Sequence, residues 1–128
     1  CYAPNCGSNL PLHASASGKL RIAYMSDNER SKVLKGIRLE KLTPNTVTDP
    51  DEFERMIKQV YTQEYATELE EIDMGISCIA VPIFNAYGEL KGTLSIAASA
   101  ATVKYNFRSI LADLKRVRNS IEDNGIGR

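Results

Sequence analysis

The strictest constraint on this chain's fold is a change of period late in the sequence. Residues 78–84 read Cys-Ile-Ala-Val-Pro-Ile-Phe, a short apolar run. Residues 90–98 then alternate. Leu90, Gly92, Leu94 and Ile96 fall on one side, and Lys91, Thr93, Ser95 and Ala97 on the other. Asn85-Ala86-Tyr87-Gly88 between them has turn composition, so the two runs predict a β-hairpin. Pro82 has no N–H for a ladder, so its strand must lie at an edge or be bulged there. The Thr93–Ser95–Ala97 side carries no bulky residue. Such a face is either wet or lines a cavity.

Helical periods surround the hairpin. Residues 13–25 predict a first helix, opened by the small residues Ala14, Ser15, Ala16, Ser17 and Gly18. Ser26 or Asp27 caps a short second one, with Glu29 in its first turn and Gly36 stopping it. Residues 37–46 read as an irregular connection. The third helix has the clearest start. Thr48 and Asp49 are candidate caps, Pro50 suits the first turn, and Phe53, Met56, Ile57 and Val60 repeat at the spacing of one buried face. Acidic side chains around its start complement the helix dipole. A last helix is predicted over residues 105–121, on Phe107, Ile110, Leu111, Leu114, Val117 and Ile121. Helices, hairpin, helix is the order of an α+β domain with an antiparallel sheet.

Composition narrows the function. With 128 residues, 43% hydrophobic and 25% charged, the chain is one ordinary domain able to bury a core. Sixteen basic and sixteen acidic residues cancel, whereas a free-standing nucleic-acid binder carries a basic excess. No apolar run reaches the roughly 20 residues of a membrane span. The three cysteines, Cys1, Cys6 and Cys78, have no zinc spacing, and reduced thiols in a cytoplasmic protein are the simplest reading. One histidine and no Ser/His/Asp arrangement leave no nucleophile and base to pair, so no enzyme, metal or cofactor is expected. Residues 1–18 hold no charged side chain, which suits a buried wall or a pocket.

Two stretches carry a resemblance. One is Ala3-Pro4, Gly7, Leu10-Pro11-Leu12-His13-Ala14-Ser15 and Gly18-Lys19. The other is Glu70-Glu71, then Gly75-Ile76-Ser77-Cys78-Ile79-Ala80-Val81-Pro82-Ile83-Phe84, Asn85, Gly88 and Leu94-Ser95-Ile96. In this order they resemble the effector-binding domain of the IclR family of transcription regulators, over residues 2–121. The resemblance implies a GAF/profilin-like domain, with helices flanking an antiparallel sheet, that fills residues 1–128. It also implies that a winged helix-turn-helix and the first strands of the domain lie upstream, leaving a sheet edge beside residues 1–6. A small metabolite, a carboxylate or aromatic acid, is then the expected ligand. Ala16 and Ser17 match family positions whose amides hold it, and unpaired N–H groups at a helix start do attract carboxylates. Cys78, Ser95 and Ala97 match its polar strand contacts and Glu68 an acidic one. Leu10, Ile76 and Tyr2 match its apolar wall. The family also implies a homodimer or tetramer, with DNA reached only through the upstream domain.

Each of these residues has a plainer reading. His13 suits capping or packing, Cys78 a small buried residue and Ser95 a solvated sheet face. Glu68, among Glu70, Glu71 and Asp73, reads by itself as part of a solvated acidic loop. Glu64 stands where the family usually has Gly before the residue matching Tyr65, so the helix end there must close differently. The same scaffold could also be a ligand-binding or dimerisation module joined to an output domain that does not bind DNA.

Overall fold

The structure is a computed structural model and describes residues 11–125. The elements run α1 (Ala16–Ala23), α2 (Asp27–Gly36), α3 (Pro50–Gln63), β1 (Ala66–Leu69), β2 (Ile76–Phe84), β3 (Leu90–Ser99), α4 (Ala100–Tyr105) and α5 (Phe107–Asp123). The strands form an antiparallel sheet in the order β1-β2-β3. This is the expected α+β class.

Local chemistry sets most helix starts. Ser15, Ser26 and Asp49 each accept a hydrogen bond from the N–H three residues on, at 3.0, 3.2 and 2.9 Å. Pro50 occupies the first turn of α3, and Phe53, Ile57 and Val60 are its buried face. α1 begins three residues later than its composition predicts. The N–H groups of Ala14 and Ser15 both turn back to the Pro11 carbonyl, and Ser15 itself is extended, as a cap must be. His13 is buried in that turn and its Nε2 donates to the Glu40 carbonyl at 2.8 Å, so it is a packing residue. The predicted last helix is α5, two residues further along, and the short α4 before it was not predicted. Ser99 caps α4 through Thr102 N–H, and the backbone bends at Asn106 before α5.

The hairpin register separates the two faces of the sheet. Cys78 faces Ala97, Ala80 faces Ser95 and Pro82 faces Thr93. Ile79, Val81 and Leu94 point the other way, onto Val103, Leu114, Phe107, Ile110 and Leu111 of α4 and α5. On the first face, Ala66 and Ala80 pack with Ala16, Leu20, Ile22, Phe53, Ile57 and Val60. The domain therefore has three layers, with α1 and α3 over one face and α4 and α5 over the other. Pro82 lies beyond Ala80, the residue opposite the first residue of β1. There β2 pairs only with β3, and a register irregularity follows at Ile83/Phe84, which is the local edge that proline requires. Asn85 Oδ1 accepts from Tyr87 and Glu89 N–H, and Gly88 takes a φ of 79° to close the turn.

β1 overturns the plainer reading of Glu68 as part of a solvated acidic loop. Its alternation is inverted relative to hydropathy: Glu68 points in, 4% exposed, while Leu69 points out, 50% exposed. Its outer edge is closed without a strand. Glu70 N–H continues the ladder to the Ile76 carbonyl, so residues 67 and 69 present their backbone groups outward. Lys19 Nζ donates to the Thr67 carbonyl at 2.7 Å, and Leu69 N–H donates to Glu71 Oε2 at 2.9 Å. Lys19 and Glu71 are themselves paired at 2.7 Å. A buried ion pair thus stands in for a neighbouring strand and protects the edge from pairing with another chain. β3 has no neighbour on its other side among the described residues. The expected edge beside residues 1–6 lies outside them, as do Cys1 and Cys6.

Candidate functional site

A cavity of about 160 Å³ lies between the start of α1, the first face of the sheet and the β1–β2 loop. It is lined by Ser15, Ala16, Ser17, Glu68, Ile72, Asp73, Ile76, Cys78, Ser95 and Ala97. Seven residues singled out in the sequence therefore meet at one place: Ala16, Ser17, Glu68, Ile76, Cys78, Ser95 and Ala97. The other two, Tyr2 and Leu10, lie outside the described residues. Ser15, Ile72 and Asp73 were not anticipated. Ser15 carries a readable signal as a cap, whereas the other two sit in a loop whose path only the fold sets.

Each wall has a local cause. Gly18 is required by close approach: a Cβ there would lie 2.3 Å from the Leu12 carbonyl oxygen and 2.7 Å from Ser15 Oγ. With Gly18 N–H taken by Ser15 Oγ and Lys19 N–H by the Ser15 carbonyl, the N–H groups of Ala16 and Ser17 have no partner among the described residues. They lie at the positive end of the helix. Ser17 Oγ is 3.0 Å from Thr93 Oγ1, which pins this end of α1 to β3. Across the floor, Glu68, Cys78 and Ala97 form one row and Ala80 and Ser95 the next. Cys78 is a free, half-buried thiol, and Ser95 and Ala97 are exposed at the open side.

The acidic wall is polarised. Glu68 Oε2 accepts from Glu71 N–H at 2.8 Å. Burial raises the Glu68 pKa above the ordinary carboxylate value, the backbone N–H groups of Glu71 and Ile72 pull it back, and the Glu71 carboxylate pushes it up again. The Cys78 thiol is also pushed up, by burial first and by Glu68 second. Behind Glu68, Lys19 is 1% exposed. Burial lowers its pKa and the Glu71 carboxylate opposes that. The cavity is thus lined by the start of α1, by the hydroxyl residues Ser17 and Ser95 and by the carboxyl residues Glu68 and Asp73. Among the described residues no group of three or more His, Cys, Asp or Glu side chains could hold a metal ion. No helix among them is long and apolar enough to cross a membrane.

Comparison with known proteins gives a consistent picture. The family model described as the C-terminal domain of the bacterial transcriptional regulator IclR matches residues 2–122. The Pca operon regulatory protein of Acinetobacter baylyi is 27% identical over 124 residues, 95% of this chain and 45% of that protein. The transcriptional regulator KdgR of Escherichia coli is 33% identical over 91 residues, 71% of this chain and 35% of that protein. The chain thus spans less than half the length of these relatives. Among solved structures, the inducer-binding domain of a double mutant of the PobR transcription factor from Acinetobacter, complexed with 3-hydroxybenzoic acid, superposes with a TM-score of 0.84. It is 27% identical, over 95% of this chain and 73% of that one. A homologue from Microbacterium hydrocarbonoxydans complexed with 4-hydroxybenzoate gives a TM-score of 0.80 and 29% identity, over 89% of this chain and 45% of that one. The sheet and its flanking helices are therefore the GAF-like arrangement expected from the sequence.

Proposed function

The chain belongs to the IclR family of bacterial transcriptional regulators, matching its C-terminal domain, and from that premise we propose that it is the effector-sensing module of a DNA-binding regulator. The observation that carries the reading is the cavity. The start of α1, where the N–H groups of Ala16 and Ser17 have no partner among the described residues, and the Glu68 carboxyl line it together with Ser17, Cys78 and Ser95. A small carboxylate with a hydroxyl at its far end fits this polarity. Its carboxylate takes the helix N–H groups and its hydroxyl meets Glu68. The two hydroxybenzoate complexes among the structural relatives support this class of ligand. DNA is contacted through another part of the full protein, and a homodimer or tetramer transmits the signal through different effector affinities of two states. The reading assigns the domain no catalysis and places it in the cytoplasm.

A thermal-shift screen against small carboxylates, sugar acids and hydroxybenzoates tests it. A ligand at a hundredfold over its Kd adds about 2.7 kcal/mol to stability. A dose-dependent rise with one acid class, weakened by about 1–3 kcal/mol in Ser95→Val through a polar group left without its partner, supports the assignment. Equal binding by Ser95→Val refutes the placement of the ligand.

A further inference from the structure

The Lys19–Glu71 pair does more than close the edge of β1. Glu71 is held at both carboxylate oxygens, Oε1 by Lys19 Nζ at 2.7 Å and Oε2 by Leu69 N–H at 2.9 Å. That fixes its backbone, whose N–H holds Glu68 Oε2 at 2.8 Å. Lys19 is fixed in turn by the Thr67 carbonyl and by its place on α1, one turn beyond Ala16. One rigid unit therefore connects the start of α1 with Glu68.

We propose that Lys19 and Glu71 are positioning residues for the cavity's Glu68, holding one of its oxygens and presenting the carboxyl to the ligand, so that an anionic effector binds together with a proton taken up at Glu68. This rests on the effector reading of the cavity. The charge inventory around Glu68 leads to it. α1 contributes Lys19, already matched by Glu71. The β1–β2 loop contributes Glu71 and Asp73, β2 contributes Cys78, and β3 presents only Ser95 and Ala97. Lys19 also draws the Glu68 carboxyl toward its ionised form, but its ammonium is bonded to Glu71, and among the described residues no other cation lines the cavity. A carboxylate entering at Ala16 and Ser17 adds another negative charge to a poorly solvated space, where like charges resist joint ionisation. Protonation of Glu68 relieves this and turns an acceptor into an O–H donor. Binding that takes up one proton weakens about tenfold per pH unit between the midpoints of the free and occupied site.

Two measurements on the 128-residue chain test this. The first uses no ligand: the Glu68 carboxyl is titrated by carbon-13 NMR, its signal assigned by its loss in Glu68→Gln. In the double variant Lys19→Met/Glu71→Gln the two opposite charges leave together, so what remains is the loss of the brace on the Glu71 N–H that holds Glu68. The Glu68 midpoint then moves to higher pH, while an unmoved midpoint overturns the positioning role. The second follows 4-hydroxybenzoate binding against pH, in the range where the probe's carboxylate stays ionised. A falling affinity in the parent and a flat profile in Glu68→Gln, which removes a buried charge and leaves the fold intact, support proton uptake. The same slope in both overturns it. Failure of 4-hydroxybenzoate to bind at any pH counts against the effector reading. The ligand-free titration decides the positioning claim by itself.

Discussion

Replacing Gly18 by Ala tests how tightly the start of α1 is built. Helix propensity alone predicts a gain, because Ala is favoured over Gly by about 1 kcal/mol in a helix interior. The geometry predicts the opposite. The new Cβ would sit 2.3 Å from the Leu12 carbonyl oxygen and 2.9 Å from its carbon, far inside the roughly 3.5 Å of an ordinary contact. Leu12 cannot retreat cheaply, because the Ala14 and Ser15 N–H groups bond back to the Pro11 carbonyl beside it. Overpacking of this kind costs about 1–3 kcal/mol. The contact with Ser15 Oγ at 2.7 Å also displaces the cap, worth about 1 kcal/mol. Subtracting the propensity gain leaves Gly18→Ala less stable by about 1–3 kcal/mol. Gly36→Ala is the control: it lies at the end of α2 with nothing within 4 Å of the added atom, and should be neutral or stabilising by up to about 1 kcal/mol. Urea unfolding measures both, as a lower midpoint with an unchanged slope for Gly18→Ala. If Gly18→Ala is as stable as Gly36→Ala, Leu12 is not the constraint and the stated reason for the glycine is wrong.

Other perturbations bear on different parts of the fold. Lys19→Met leaves Glu71 buried without its cation and should cost about 3–5 kcal/mol at neutral pH, while adding Glu71→Gln restores most of it. A double variant no more stable than the single one in urea would show that charge pairing is not the cause. Glu64→Gly should gain about 0.5–1 kcal/mol, because Glu64 ends α3 at a φ of 60° where glycine carries no Cβ penalty. A lower melting temperature would mean that the Glu64 side chain matters more than its backbone. Tyr24 is pushed from 10.0 to about 12, by burial first and then by Glu64. A tyrosine whose pKa is raised in the fold contributes full stability below pH 10 and loses it as the pH climbs from 10 to about 12. Tyr24→Phe should flatten that alkaline loss in a melting series, and an unchanged pH profile would locate the loss elsewhere.

Parts of the site were legible because they follow from neighbours in the chain. Ser26 and Asp49 announce helix starts within one turn of themselves, and the α3 stripe and the hairpin follow from periods of 3.6 and 2. Thr93, Ser95 and Ala97 could be assigned to one small, polar face before any partner was known. β1 was missed because four residues are too few for a period, and the apolar Leu69 points outward while Glu68 points inward. α4 was missed because six residues with Val103 as their buried residue carry too little period to show a helix. Asp73 and Ile72 carry no pattern, and they reach the cavity only because the β1–β2 loop closes over it.

The sequence by itself determined the α+β class, the hairpin, the side-chain caps of α2 and α3 and the small polar sheet face, since each depends on residues within about one turn or one strand of each other. Only the tertiary structure decided that Lys19 is buried, that Glu71 stands in for a missing strand and that the Glu71 N–H holds Glu68. Those outcomes depend on the register of β1 against β2 and on a contact between Lys19 and Glu71, which lie 52 residues apart. A buried charge is expelled unless its partner arrives in the right geometry, and nothing in the local sequence around Lys19 announces that Glu71 will be there.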